Sequence, residues 1–458
     1  MNIARPYSLL LVCMPLIWVL GLDQFIWYGL MCLLVAQVLV NGRAPVPQRG
    51  RGDYALLVLL FAVAISAISL RTATDRILSY TRDALTVGTA TLLYLWHRSS
   101  IDPVRDSNRY LNAIVVLTGT ASVVGIISLA FDLRGSFTSP FGALLPERLS
   151  STELGTVIST KSLLWDRTSR IFDFELHRTK AFFLFPNVFA LVLGVGIPAS
   201  IHAMLAARGA LGKIAAASVV IAALICLAFT TSRGGIAAMV CGIATFMYVN
   251  ATRRTSPTVR RLAMVAAAGI VGIAVLLFFA SLQEMAQDVI YARGHGSADM
   301  RLLIYAESLR AVLQNPLGYG TYRDIPSLGP DVPPLGSHSQ YISVLFKYGV
   351  LGLTAFLFFL LAVFRTWLRG LNAARARGDL AGFRFYAFTG WAFVGTTLHE
   401  AVCELSLDLT AYMVIVALWL AIAVRTSAYE RAPQAFHVVA EDQMQPFAGG
   451  AAYGEAGR

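Results

Sequence analysis

Apolar positions along this chain gather into about a dozen long blocks, each near the roughly 20 residues a helix needs to cross a bilayer. The blocks fall at roughly 6–22, 25–41, 54–70, 83–97, 110–131, 181–206, 214–231, 234–250, 262–282, 340–363, 385–399 and 409–425. They predict an all-α polytopic membrane protein of about 12 transmembrane helices. Two longer polar intervals, 132–180 and 283–339, become its larger outer loops. The first is polar and mixed in charge, with Pro140 and Pro146, and reads as an ordered but irregular cap or a re-entrant element. The second is partly helical: within 299–314, Leu302, Ile304, Tyr305, Leu309, Val312 and Leu313 recur mostly at helical spacing, and Asn315 and Pro316 stop the run.

Composition agrees with a lipid solvent. Of 458 residues, 57% are apolar and 14% charged, with mean hydropathy +0.64, whereas soluble domains carry about 25% charged residues. The net charge of +11 has to be read by side. An even number of spans puts both termini together. With the ends inside, the short inner loops hold Arg43, Arg49 and Arg51; Arg98, Arg105 and Arg109; Arg208 and Lys213; Arg253, Arg254, Arg260 and Arg261; and Arg365, Arg369, Arg375, Arg377 and Arg384. That is the positive-inside pattern. The reverse orientation leaves the inside with loops such as 22–24 and 400–408, which contain no Lys or Arg. The basic charge is therefore a membrane signature, and nucleic acid is not expected as a partner.

The first apolar run resembles a signal peptide in length, but no small-x-small site follows and a second run begins near Phe25, so a retained span is expected. Cysteines 13, 32, 226, 241 and 403 show no metal-type spacing and no disulfide framework. Residues 1–425 read as one transmembrane domain. Residues 426–458 read as a cytoplasmic tail, Gly/Ala-rich at its end and expected to be disordered.

Candidate chemistry sits on the outer side. Arg178 and Lys180 precede a Pro-Asn helix start in HRTKAFFLFPNVFA; two cations at a helix N-terminus suit an anionic headgroup, although a snorkelling interfacial pair would look the same. Arg233 is the single charge in the short hairpin TSRGG, where a cation is costly unless it is partnered or faces a cavity. Arg301 opens the outer-loop helix and shares a face with Tyr305; its planar fork suits phosphate oxygens. His338 lies in GSHSQYISVLFKYGVLGL, where loop becomes span, with Ser337 or Ser339 placed to cap the helix. An imidazole there can take a proton from a sugar hydroxyl, although a lone His at a helix mouth is more often structural. His399 and Cys403 are four apart next to Glu400 and Glu404, but the HExxH pattern is absent. Asp173 and Glu175 form an acidic pair of the kind that holds a divalent cation. Arginines supply the same charge stabilisation, and neither a metal nor a cofactor is expected.

Taken together, Arg301 through NPLGYGTY, then GSHSQYISVLFKYGVLGL, with FPNVFA after Arg178 and TSRGG around Arg233, resemble the signature of the bacterial O-antigen ligase and polymerase superfamily. The resemblance covers about Arg178 to Leu353. It implies an inverting, metal-independent glycosyltransferase of the inner membrane with a periplasmic site, using a glycan on undecaprenyl pyrophosphate as donor. It puts His338 at the base position and Arg178, Arg233 and Arg301 at the cationic positions, with Lys180 added for its proximity. Tyr305, Ser337 and Ser339 are expected to support them. Among the family's acceptors, the lipid A core is preferred over a second lipid-linked repeat or a protein hydroxyl, because the outer loops are moderate and no extra soluble domain follows. A lipid or polysaccharide transporter would also have a dozen spans, but should show paired repeats or broken midplane helices.

Overall fold

The computed structural model describes residues 3–41, 51–70, 74–96, 102–150, 152–171, 174–254, 297–324, 333–405 and 408–431, with the single positions 100 and 258. The chain folds as an all-α polytopic membrane protein. Among the described residues, seven helices are long and apolar enough to cross a membrane. In lipid every backbone N–H and C=O needs a partner within the protein, which a helix supplies from its own ladder.

In chain order the first elements are α1 (Ala4–Val12), α2 (Met14–Leu20), α3 (Ile26–Asn41), α4 (Arg51–Ser66), α5 (Thr74–Trp96) and α6 (Pro103–Ala130). After the first outer loop come α9 (Pro186–Ala206), α10 (Ala210–Phe229) and α11 (Arg233–Ala251). The second loop carries α12 (Ser297–Gln314), and the chain closes with α13 (Gln340–Ala376), α14 (Leu380–His399) and α15 (Leu409–Arg431). Helices thus occupy the stretches in which hydropathy places spans, except 262–282, which lies outside the described residues, as do His295 and the tail 432–458.

The helices sort by depth. Along α15 the whole apolar window is buried inside the protein; a helix apolar all round belongs at the centre of a bundle. By contrast α10 buries only 22% of its window, and Leu211, Ile214 and Ile221 on it stand exposed. Those side chains face lipid, where exposure of apolar surface costs nothing. Tyr7 donates its hydroxyl to the Met413 carbonyl (2.5 Å), which fastens the first helix to the central one.

Two expected spans are interrupted. The first breaks at Cys13, between α1 and α2, because Pro15 has no N–H to give the helix and its ring crowds the carbonyl one turn back. The tenth breaks at Gly349, which takes φ 72 and ψ −172 inside α13. The freed carbonyls of Phe346 and Lys347 accept the amides of Tyr319 (2.9 Å) and Gly320 (2.8 Å), and Val350 N donates to Pro316 O (3.0 Å). A side chain at Gly349 would lie 2.1 Å from Pro316 O, and one at Gly318 (φ +87) would lie 2.4 Å from Lys347 O. The NPLGYG turn is therefore the other half of the break in α13. Only glycines let the two backbones meet.

The loop 132–180 is a cap with β-structure that the helical pattern does not announce. It holds β1 (Ser136–Thr138), α7 (Glu147–Ser150), α8 (Glu153–Ser159), β2 (Thr160–Ser162), β3 (Leu164–Ile171) and β4 (Phe174–Thr179). β1 pairs with β2 and β3 with β4, both antiparallel, as two separate ladders. A buried ion pair pins the cap to the α2–α3 turn: Lys161 Nζ lies 2.7 Å from Asp23 Oδ1.

Candidate functional site

Arg178 pairs with Trp165 one step before the end of the second ladder, which sets it beside the start of α9 and the end of α10. Its Nε donates to the Thr230 carbonyl (2.8 Å) and its Nη2 to Asn187 Oδ1 (3.0 Å). Asn187 follows Pro186 in the first turn of α9, where proline's missing N–H costs nothing. Both acceptors are neutral, so the Arg178 charge is held but not cancelled. Burial, and after it the nearby charge of Arg301, weakens Arg178's hold on its proton.

Arg301 is the hub. It stands near the start of α12, half-buried, and its charge reaches Arg178, His338, Tyr305, His399 and Cys403. Among the described residues no carboxylate pairs with Arg301 or Arg178. With no carboxylate among the described residues to offset them, the two guanidinium groups leave positive charge at this end of the bundle.

His338 sits two residues before α13, in the left-handed region at φ 68. Such a conformation is uncommon outside glycine and persists only where the surroundings impose it. Here they do. The Tyr305 hydroxyl donates to the His338 carbonyl (3.2 Å). Ser337 Oγ donates to Pro334 O (2.7 Å). Ser339 is the cap of α13, its Oγ accepting from Ile342 N (3.5 Å), and Gln340 N donates to Glu400 O (2.8 Å). Burial, helped by Arg301, lowers the His338 imidazole to about 4, so it is neutral at pH 7 and carries a free lone pair. Burial keeps the Tyr305 phenol protonated by pushing it up to about 12.

The TSRGG hairpin enters the same region through His399. Ser232 caps α11, its side chain accepting from Gly235 N (3.2 Å), and Arg233 is the first helical residue, exposed. The His399 ring lies against the two glycines: a Cβ on Gly234 would be 3.5 Å from its Cδ2 and one on Gly235 3.3 Å from its Cε1. Lys180 is buried, its amide bonded to Leu163 O (3.3 Å). The cation sensed by Arg178 and His338 is Arg301.

The structure therefore brings Arg178, Arg301, Tyr305 and His338 together, with Ser337 and Ser339 shaping the histidine's loop and the glycines of the TSRGG hairpin lying against His399. It adds residues that sequence reasoning did not select: Asn187, His399 and Glu400. The last is buried, with Oε2 lacking a hydrogen-bond partner and its carboxyl raised to about 8 by burial. Lys347 is the other addition. Fully buried two turns into α13, it contacts Asp83 Oδ2 (2.8 Å) and Glu404 Oε1 (3.6 Å), while Arg82 holds the other oxygen of Asp83 (3.0 Å). A lysine and an aspartate inside apolar runs were the available signal. Asp173 lies outside the described residues, and among the described residues no group of three His, Cys, Asp or Glu side chains is set to hold a metal.

Helical spans define a polytopic membrane protein, with an arginine pair that no carboxylate among the described residues offsets beside a strained, neutral histidine at one end of its bundle. Residues 217–357 match the family model Wzy_C, described as O-antigen ligase, a stretch that includes Arg233, Arg301, Tyr305 and His338. The resemblance to the O-antigen ligase and polymerase superfamily thus holds over that stretch, and with it a glycosyl-transfer type of reaction on lipid-linked glycans. No curated protein matches the chain.

Proposed function

We propose that the protein is an O-antigen ligase, an inverting transferase that moves a glycan from undecaprenyl pyrophosphate to the lipid A core on the periplasmic face of the bacterial inner membrane. The observation that carries the proposal is the Arg178–Arg301 pair, unpaired with any described carboxylate and felt by a neutral His338. In the reaction, His338 takes the proton of the acceptor hydroxyl as that oxygen attacks the anomeric carbon. The bond from that carbon to the pyrophosphate breaks, and its electron pair leaves with the undecaprenyl pyrophosphate. Arg178 and Arg301 neutralise the charge that grows there, with the exposed Arg233 and the buried Lys180 as further cations. The donor carries its own leaving group, so no cofactor or nucleotide takes part in the scheme.

The low proton affinity of His338 fits this cycle. Arg301 repels an imidazolium in the empty site; a pyrophosphate lying on the arginines cancels that repulsion and makes the imidazole a stronger base when the donor is bound. The same donor chemistry serves a polymerase or a protein O-oligosaccharyltransferase, and the test separates them. Purified protein is given undecaprenyl-pyrophosphate glycan with lipid A core, with a second donor molecule, or with acceptor protein. Glycan on lipid A core supports the proposal, and lengthened donor or glycosylated protein replaces it. If export fails in cells carrying His338→Ala while glycan attachment to the exported material is unchanged, the protein is a transporter instead.

A further inference from the structure

A second pair of arginines comes from α5 and from the segment between α12 and α13. Arg323 follows the GYGTY turn, its Cζ 4.0 Å above the centre of the Tyr319 ring. Tyr319 in turn stacks on Phe346 with centroids 4.8 Å apart, and the Leu335 amide donates to the Arg323 carbonyl (2.7 Å). The guanidinium is thus the top layer of a fixed stack standing on α13, not the end of a loose chain.

Its Nε is buried and has no hydrogen-bond partner. Arg76, in the first turn of α5, is near enough that its charge adds to burial in loosening the Arg323 proton. Among the described residues no carboxylate pairs with Arg76 or Arg323. A guanidinium with an unused donor, fixed on an aromatic platform and within reach of a second cation's charge, suits an anion. Arg178 senses Arg301, and Arg323 senses Arg76.

We infer that Arg76 and Arg323 form a second anion subsite that holds a phosphate group of a phosphorylated, lipid-anchored acceptor. The inference rests on the transferase reading above: the donor pyrophosphate occupies the first arginine pair, and an acceptor with its own phosphate needs another. The platform hangs on the Phe346 and Lys347 carbonyls of α13, the helix that starts two residues after His338. An acceptor held there is held against the helix into which the loop of the base runs.

The test uses Arg323→Gln, Arg76→Gln, the double variant and Arg323→Lys, in full-length protein whose thermal melting matches wild type. Acceptor glycolipid is supplied with its phosphates or after phosphatase treatment, in vesicles of phosphatidylcholine with or without phosphatidylglycerol. The expected result is an acceptor KM raised about 10- to 100-fold for each Gln variant, as loss of a charge-assisted bond implies, with partial recovery in Arg323→Lys. Dephosphorylated acceptor should show the raised KM already in wild type and no further rise in the variants. An unchanged KM, or an equal rise for both acceptors, overturns the inference. A change that follows phosphatidylglycerol and ignores the acceptor's phosphates assigns the subsite to bilayer headgroups and also overturns it. Equilibrium binding of phosphorylated acceptor to a His338→Ala protein, which needs no turnover, reads the subsite alone. Weakened binding on adding Arg323→Gln then supports the subsite even if the wild type transfers nothing, a result that would count only against the transferase reading.

Discussion

At the scale of the residue, the site is a contest between burial and charge. His338 falls to about 4 because it is buried and because Arg301 repels its protonated form. Removing that cation should raise the imidazole, so Arg301→Gln is expected to move the acidic limb of the kcat/KM profile to higher pH. In wild type the acidic limb of kcat should lie above that of kcat/KM, because the first reports the donor complex and the second the empty enzyme. Coincident limbs would mean that donor charge does not reach His338. His338→Ala should lower kcat by about 100- to 10,000-fold, the range of general-base catalysis. Glu400 makes a stability prediction. Its folded value, about 8, lies above the ordinary carboxyl value of 4.5, so between those values the folded chain keeps a proton that the unfolded chain has lost. Stability therefore declines as pH rises from about 4.5 to 8, by about 1.4 kcal/mol per unit at most. Glu400→Gln should melt higher than wild type, by a margin wider at pH 8 than at pH 6.

At the scale of the element, the family-like motif is a joint. Gly318 and Gly349 both take positive φ and face each other's backbone. Alanine at Gly349 meets Pro316 O at 2.1 Å, in addition to the roughly 1–3 kcal/mol that a Cβ costs at φ 72 and ψ −172, a region reserved almost wholly for glycine. Gly349→Ala should therefore lower thermal stability and transfer together, whereas Gly378→Ala, at positive φ with no neighbour within 4 Å, should show only the smaller conformational cost. Below the joint, Lys347 is tied to α5 through Asp83. A closed void of about 20 Å³, lined by Asp83, Gln340, Ser343 and Lys347, has room for about one water beside it. Taking one partner from a buried pair strands the other, at about 3–5 kcal/mol. Lys347→Met is expected to be the worse lesion and Lys347→Met with Asp83→Asn to recover part of the loss, as read by melting in detergent. A double variant no better than the single would show that the pair does not act as a unit, with Arg82 and Glu404 setting the energetics.

At the scale of the whole molecule, the arginine distribution predicts orientation. Cysteine labelling from outside should reach the exposed positions in 143–147 and 313–317 and should not reach positions in 207–213 or 366–378; the reverse pattern would place the His338 site inside and remove access to periplasmic acceptors. The positions of the spans were legible because lipid demands long apolar runs and leaves little else to read. The helix at 299–314 was legible from its period and its Asn315-Pro316 stop; it begins two residues earlier, at Ser297. The β-ladders of the cap were not, since short irregular strands in a polar loop carry no hydrophobic period. The break at Gly349 was hidden because a glycine in an apolar span looks like any small packing residue until the turn it receives is known.

By itself the sequence determined the solvent, the helical class, the side on which each loop should fall and the roster of outer arginines around His338, because span length and charge placement are local properties. The tertiary structure decided which members of that roster act together. It joined Arg178 to Arg301 from segments more than a hundred residues apart, lowered His338 by burial, and supplied His399, Glu400 and Lys347. Those outcomes depend on desolvation and on charges approaching through space, which no stretch of sequence encodes on its own.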